Sequence, residues 1–562
     1  MAFDDLLERV GSMGRFQFLH VIILIIPVFL MASHNLLQIF VAMVPSHHCS
    51  VHTNLSEFDL RLEQKLLITV PLDGIGKPHR CQRYVVPQWH LLMKNETFSA
   101  EEKGDGKESV SVGLQGCIDG WSYNLSERTS TIISEWDLVC ELRPLKQMAQ
   151  TIYMGGVLAG ALIFGGLSDR YGRCIPLLIS NMLMAVCGTC AAFSSSFTFF
   201  CIFRFGCGMA LSGLGLNTFS LTLEWIPIRT RTVVGTIMGY CYTVGQLLLA
   251  GLAYFIRDWR WLTLAVSLPF YVFFLFAWWN HESARWLVMN NNSEKAIKNL
   301  KTVARINGRG EEGEKIDINM LEESMKKEIL CSQGTYSVLD LFRTSTMRRM
   351  TIYISAVWVS TSFAYYGLAM DLQKFGVDIY LIQLIFGAVD IPAKVIVTMA
   401  MAFFGRRLSQ SAVLILAGLT ILCNLLVPYD EQLIRTCLAV IGKGCLAASF
   451  NCCYLYTGEL YPTIIRQNGM GWASMIARVG AMVAPMVLLL GDYIPWLPGV
   501  IYGGAPIFSG VAAMFLPETL GLPLPDTVQD VEERGSGRRS NRPPKEPVVL
   551  QDVHGNLLKS AA

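Results

Sequence analysis

Five charged side chains, Arg204, Asp390, Lys394, Lys443 and Arg478, fall inside stretches of sequence that are otherwise apolar, and His34 stands in a sixth such place. A basic group at the middle of a bilayer costs roughly 2.5–3.5 kcal/mol on insertion scales, so each must face a partner or a polar cavity. In the second half of the chain three cations stand against one acid, an excess that suits an anionic ligand. Lys394 follows Asp390 by four residues, one helical turn, so the two can pair; unpaired, Lys394 would face a ligand. The one-turn neighbours of Arg478 are Ser474, Met475, Ala481 and Met482, with no acid among them. A guanidinium so placed can grip a carboxylate or sulfate through two parallel hydrogen bonds. Lys443 sits in Gly442-Lys443-Gly444, which lacks the pattern of a phosphate-binding loop and reads at least as well as a buried structural lysine. No G-x-S-x-G, H-E-x-x-H or paired-carboxylate arrangement occurs, so the expected chemistry is binding rather than catalysis, with no enzyme activity, resident cofactor or metal site.

These residues need membrane helices to position them. Of the 562 residues 52% are hydrophobic and 16% charged, against about 25% charged in a soluble domain, and the mean hydropathy is +0.40. The net charge of +2, with no arginine-rich block, points away from a nucleic-acid partner. Apolar runs fall near 16–40, 145–167, 175–195, 197–222, 233–255, 261–279, 351–371, 377–403, 409–427, 434–457, 469–490 and 496–516. Twelve runs of about 20 residues make an all-α membrane domain whose immediate partner is the lipid bilayer. The first run is too long, and its leader (Asp4, Asp5, Glu8, Arg9) too mixed in charge, for a cleaved signal, so it is expected to be retained.

The expected organisation is an N-terminus over 1–15, a first span over 16–40, a large loop over 41–143, five spans within 144–280, a second large loop with short helices over 281–350, six spans within 351–516 and a tail over 517–562. The first large loop carries Cys49, Cys81, Cys117 and Cys140 and three N-x-S/T sites, at Asn54, Asn95 and Asn124. An even cysteine count beside glycosylation acceptors reads as an oxidising, extracellular domain with disulfides, of which three pairings are possible. The second large loop holds 12 Lys+Arg and 10 Asp+Glu, and basic short loops occur at Arg170/Arg173, Arg229/Arg231 and Arg406/Arg407. The positive-inside rule puts these and both termini in the cytosol, where the further sequon at Asn291 would go unused. The other cysteines lack metal-ligand spacing and read as small core residues. The tail beyond Glu532 is expected to be disordered.

Three landmarks repeat in order. Glu224-x-x-Pro227-x-x-x-Arg231 returns as Glu459-x-x-Pro462-x-x-x-Arg466, 235 residues on; Gly172-Arg173 returns as Gly405-Arg406 after 233; Glu282-Ser283 returns as Glu518-Thr519 after 236. Two parallel six-helix halves follow, related by an axis along the membrane normal, as in major facilitator transporters. Gly165-Gly-Leu-Ser-Asp169-Arg170-Tyr-Gly172-Arg173 resembles the facilitator signature G-x-x-x-D-R-x-G-R. There Asp169 is expected to accept from helix N-termini and basic groups, and Arg170 and Arg173 to bridge to acids at neighbouring helix ends, holding the cytosolic side closed. The second copy has Ala402 and Phe403 in place of Asp169 and Arg170, so any such latch is asymmetric.

Longer matches run along the chain: Met1-Ala-Phe-Asp-Asp-Leu-Leu, Gly14-Arg-Phe-Gln, Ser33-His-Asn35, Trp136-Asp-Leu-Val-Cys140, Glu282-Ser-Ala-Arg-Trp286 and Leu522-Pro-Leu-Pro-Asp-Thr527. In these the chain resembles the organic anion transporter family, which also includes cation and carnitine carriers, and is most similar to the renal aromatic-anion/dicarboxylate exchangers. The resemblance implies a plasma-membrane carrier of an epithelial cell, with the major facilitator fold, taking up small organic anions by alternating access in exchange for an intracellular dicarboxylate. It implies that Arg478 attracts the substrate anion or a coupling chloride. It also implies that Asn35, Phe219, Tyr242, Trp358, Tyr365, Tyr366, Phe450 and Tyr454 line the cavity with Lys394, with Trp358 and Tyr365 stacking on an aromatic acid, and it gives Arg204 a structural or coupling role. A cation or zwitterion carrier of the same fold and a non-transporting receptor are the competing readings; no oligomeric state is specified.

Overall fold

A computed structural model describes residues 3–51, 60–73, 76–93, 113–124, 130–332, 338–370, 377–428, 430–462, 465–522, 525 and 528–535. The acceptor sites Asn54 and Asn95 and the tail from 536 onward lie outside them, whereas Asn124 is described and exposed. Twelve spans are present: α1 (Arg15–Leu36), α2 (Pro144–Tyr171), α3 (Cys174–Ala192), α4 (Phe197–Trp225), α5 (Ile228–Phe255), α6 (Trp259–Ser267 continued by Pro269–Ala277), α7 (Ser345–Met370), α8 (Ile379–Phe404), α9 (Arg406–Leu426), α10 (Gln432–Leu460), α11 (Arg466–Leu489) and α12 (Leu497–Ala513). Ten are both long and apolar enough to cross a membrane. Of the other two, α12 is short, and α7 carries Arg348 and Arg349 near its start and the hydroxyls Thr351, Ser355, Ser360, Thr361 and Ser362 along its length. The break in α6 falls where Pro269 has no N–H to give.

Local chemistry sets the ends. Asp258 caps α6 by accepting from the N–H groups of Arg260 and Trp261, and Asp378 caps α8 by accepting from that of Tyr380. Gly156 and Gly160 let α2 lie against α4, since a Cβ there would meet the Phe205 carbonyl oxygen at 2.2 Å and that of Met209 at 2.4 Å. The similar spacing of Gly235 and Gly239 does no such work; a Cβ at either meets nothing within 4 Å.

The repeat is written in hydrogen bonds. In the first half the Glu282 carboxylate accepts from the N–H groups of Arg173 (2.9 Å) and Cys174 (3.0 Å), closing the start of α3, while the Arg173 guanidinium reaches Glu224 (3.4 Å). In the second half Glu518 accepts from Arg406 (2.8 Å) and Arg407 (3.1 Å) at the start of α9, and Arg406 reaches Glu459 (2.9 Å). The carboxylates satisfy the orphan N–H groups of a helix start and meet its positive dipole end. Arg231 and Arg466 each donate to a carbonyl five residues back, Ile226 (3.0 Å) and Tyr461 (3.3 Å). Gly172 (φ +92°) and Gly405 (φ +89°) make the turns, in a conformation that side chains rarely adopt.

One expectation is corrected here. Glu282 and Glu518, rather than Asp169, accept from the helix starts; Asp169 is an exposed partner of Arg173 at 3.0 Å, and Arg170 lies over the neighbouring Tyr171 ring. In the described state these charges tie helices within one half, and the shared Arg–Glu–Glu arrangement makes the ties alike in the two halves apart from Asp169.

An even number of spans leaves two faces, one with the 41–143 loop and one with both termini. On the loop face disulfides join Cys49 to Cys117 and Cys81 to Cys140. Strand His47–Cys49 pairs with Trp121–Tyr123, and Arg83–Tyr84 with Leu114–Gln115. Glu135 accepts from Trp259 Nε1 (2.7 Å) and the Arg260 guanidinium, seating the loop domain on α6. On the terminus face helix Phe3–Val10 packs on the helices of the 281–350 loop. Asn307 holds it there, accepting from the Phe16 N–H (2.9 Å) and donating to the Val10 carbonyl (3.1 Å) and Gln17 (2.9 Å). Of the remaining cysteines, Cys201, Cys207, Cys452 and Cys453 are buried as expected of core residues, but Cys423 and Cys437 are exposed.

Candidate functional site

The side chains that join the two halves also frame the site. Asn35 on α1, 5% exposed, donates to the hydroxyls of Tyr242 on α5 (2.6 Å) and Tyr366 on α7 (2.7 Å). Gln246 on α5 donates to Tyr365 on α7 (3.1 Å), and Thr151 on α2 to the Met482 carbonyl on α11 (3.4 Å). Nearer the loop face the Tyr380 ring meets Phe40 (5.5 Å) and Tyr254 (5.8 Å). These contacts gather in the loop-face portion of the helices, so the bundle is sealed there. Below the seal, Tyr454 on α10 packs its ring edge-on against Trp358 at 4.6 Å yet is 52% exposed, so part of its ring is free.

The expected aromatic residues of the second half form one cluster. Phe450 meets Trp358 (6.3 Å) and Tyr365 (5.3 Å), and Tyr365 meets Tyr366 (5.5 Å). Trp358 and Tyr365, seven residues apart, thus share a helix face. In this state Trp358 is 1% and Tyr365 7% exposed, and the Trp358 N–H is taken by Thr457 (2.9 Å). Tyr454 is the ring that remains available. Phe219 on α4 is half exposed, but among the described residues no ring contact joins it to the cluster.

The charges sort differently from their spacing. Asp390 pairs with Lys443 on α10 (3.1 and 3.3 Å), not with Lys394 one turn along α8. Both partners are nearly inaccessible, and Lys443 also lies 3.9 Å from the Tyr365 ring centre. Lys394 crosses to the other half, donating to the Gly239 carbonyl (3.0 Å) and the Thr243 hydroxyl (2.8 Å) of α5. Arg478, half-buried, has its Nε without a hydrogen-bond partner. Around it, within electrostatic reach, stand the phenols of Tyr454, Tyr366, Tyr153 and Tyr242. The setting therefore offers a cation, hydroxyl donors and an open ring, which fits an anion carrying apolar surface.

Sequence reasoning missed Tyr153 and Gln246. Gln246 was findable, being a lone amide one turn after Tyr242 on an apolar helix. Tyr153 carried no such signal; only the crossing of α2 with α4 and α11 brings it to Arg204 and Arg478.

Residues 99–530 match the family model described as sugar (and other) transporter. Over all 562 residues the chain is 73% identical to solute carrier family 22 member 6 of Pseudopleuronectes americanus, with 100% of each chain covered. It is 48% identical to human organic anion transporter 3, covering 98% of this chain and 96% of that one. Among solved structures, the major facilitator superfamily proton:xylose symporter XylE aligns with a TM-score of 0.55 at 18% identity, over 70% of this chain and 90% of that one, a likeness of fold. With two six-helix halves and relatives this similar along the whole length, the chain belongs to the organic anion transporter family, solute carrier family 22, of multi-pass membrane carriers with the major facilitator fold.

Proposed function

We propose that the protein carries organic anions across the plasma membrane by alternating access, exchanging an aromatic or amphipathic carboxylate or sulfate for an intracellular dicarboxylate. The observation that carries this reading is Arg478, half-buried at mid-span among four phenols, while Asp390, the mid-span acid of α8, is neutralised by Lys443. The substrate's anionic group is held by Arg478, with chloride as a coupling anion there. Its apolar part lies against Tyr454 and Phe219, in a cavity completed by Asn35, Tyr242, Trp358, Tyr365, Tyr366, Lys394 and Phe450. Lys394, bonded to α5 here, becomes available when the halves separate. The loop face is extracellular, as its cysteines and the exposed acceptor Asn124 suggest, both termini are cytosolic, and the cell is epithelial. The seal through Asn35, Gln246 and Tyr380 then makes the described state one that opens toward the cytosol.

The test is uptake of a labelled aromatic carboxylate into cells expressing the chain, with and without preloaded dicarboxylate, beside Arg478→Asp at matched surface expression. Exchanging the cation for an acid is expected to cost about 2–5 kcal/mol, at least about 30-fold in uptake. Preloading is expected to stimulate the wild type. Uptake of an organic cation instead, or full activity in the mutant, would overturn the assignment.

A further inference from the structure

The Arg204 guanidinium on α4 is 1% exposed, and none of its three nitrogens has a hydrogen-bond partner. It lies over the Tyr153 ring of α2, 4.2 Å from its centre. The Tyr153 hydroxyl is also without a partner, as is Nδ1 of His34, whose Nε2 stands 3.3 Å from the Ser267 hydroxyl on α6. His34, Tyr153, Cys201 and Cys207 lie within electrostatic reach of Arg204, and among the described residues no carboxylate hydrogen-bonds its guanidinium. The one acid of α4, Glu224, is twenty residues away, about 30 Å along the helix, and is tied to Arg173. The loop-face acid Glu135 is taken by Arg260 and Trp259.

A ring face offsets only part of the cost of taking a guanidinium out of water, and a cation buried this fully needs a counter-charge. A buried donor left without a partner marks a missing ion or water, and here the unpartnered guanidinium and hydroxyl belong to two side chains in contact. The surroundings are too close-packed for an organic substrate: a Cβ at Gly208 would stand 2.2 Å from the Tyr153 carbonyl oxygen, and one at Gly156 equally near that of Phe205. We propose that Arg204 and the Tyr153 hydroxyl, flanked by His34 and Ser267, form a binding site for a monatomic inorganic anion, chloride in a cell, within the first half of the bundle and separate from Arg478. Tyr153 lies within electrostatic reach of both arginines, so a bound ion screens the charge of Arg204 from the central cavity. Binding here is independent of which organic anion is carried.

The probe is chloride, titrated against gluconate at constant ionic strength, with the melting temperature of the purified full chain as readout. A saturable rise is expected in the wild type and in Arg478→Gln. In Arg204→Lys, which keeps the charge but loses the fork of donors, the midpoint is expected to rise about tenfold. Tyr153→Phe keeps the ring under Arg204 and removes one donor; its midpoint is expected to rise about threefold, and it carries the test if the lysine variant does not fold. Absence of a saturable rise in the wild type, unchanged midpoints in every folded variant of Arg204 and Tyr153, or a rise lost only in Arg478→Gln would each overturn the proposal. None of these outcomes depends on uptake, so failure here is distinguishable from failure of the carrier reading.

Discussion

At the terminus face Arg173, Glu224 and Glu282 make the same bonds in the first half that Arg406, Glu459 and Glu518 make in the second. Within the spans the halves part company: the first carries Arg204, closed in by Tyr153, whereas the second carries the Asp390–Lys443 pair, Lys394, Arg478 and most of the aromatic cluster. Turns and helix starts must be held the same way in both halves if each is to move as a rigid body. A cavity between them has no reason to be symmetric when its ligand is not.

The largest test of that contrast is Asp390→Asn, which strands Lys443 as a buried unpaired cation. It is expected to destabilise the protein by about 3–5 kcal/mol, with most of the loss recovered in Asp390→Asn/Lys443→Met. Thermal unfolding measures both, and an unchanged melting temperature in the single variant would mean the pair is not formed. Next come Gly172→Ala and Gly405→Ala, each placing a Cβ within 3 Å of a glutamate carboxylate at a positive φ. Each is expected to cost about 1–3 kcal/mol, and the two costs should match; a clear inequality would break the symmetry at the turns.

Asn35→Ala removes two hydrogen bonds, one of which joins the halves. The bond between halves is worth about 0.5–1.5 kcal/mol, so the loop-face-open population is expected to rise by up to about tenfold. Labelling of a cysteine placed at Gln38 by an impermeant reagent reads this, and an unchanged rate would remove Asn35 from the seal. The smallest effect is a pH dependence at Glu518. Burial pushes its carboxyl up, but the N–H groups of Arg406, Leu520, Thr519 and Arg407 outweigh it and hold it below the usual 4.5. A carboxyl depressed in the folded state contributes stability that is present above its unfolded value and lost as pH falls through its folded one. Glu518→Gln is expected to flatten the acid limb of the stability profile below about pH 4.5, leaving neutral pH behaviour of the other half intact.

Much of this was legible beforehand because it is local or periodic. Twelve apolar runs, the offsets of 233–236 residues and the Gly172/Gly405 turns needed only chain order. The aromatic cluster of α7 and α10 was anticipated by resemblance, and the shared face of Trp358 and Tyr365 by helical spacing. Other features failed for a common reason. Spacing on α8 allowed an Asp390–Lys394 pair or a ligand-facing Lys394, but in the structure Lys394 turns toward α5 and Asp390 faces Lys443, 53 residues away. Asp169 matched a signature while Glu282 did the capping.

Composition and periodicity by themselves determined that the chain is a membrane bundle, that it is a duplicated one, and that its second half is richer in intramembrane cations, because those properties are sums and repeats along a line. How the four loop cysteines pair, which acid neutralises which lysine, and which arginine is left among phenols were decided by the tertiary structure. Each depends on the rotation of one helix against another, and a one-residue turn of 100° exchanges a partner for lipid.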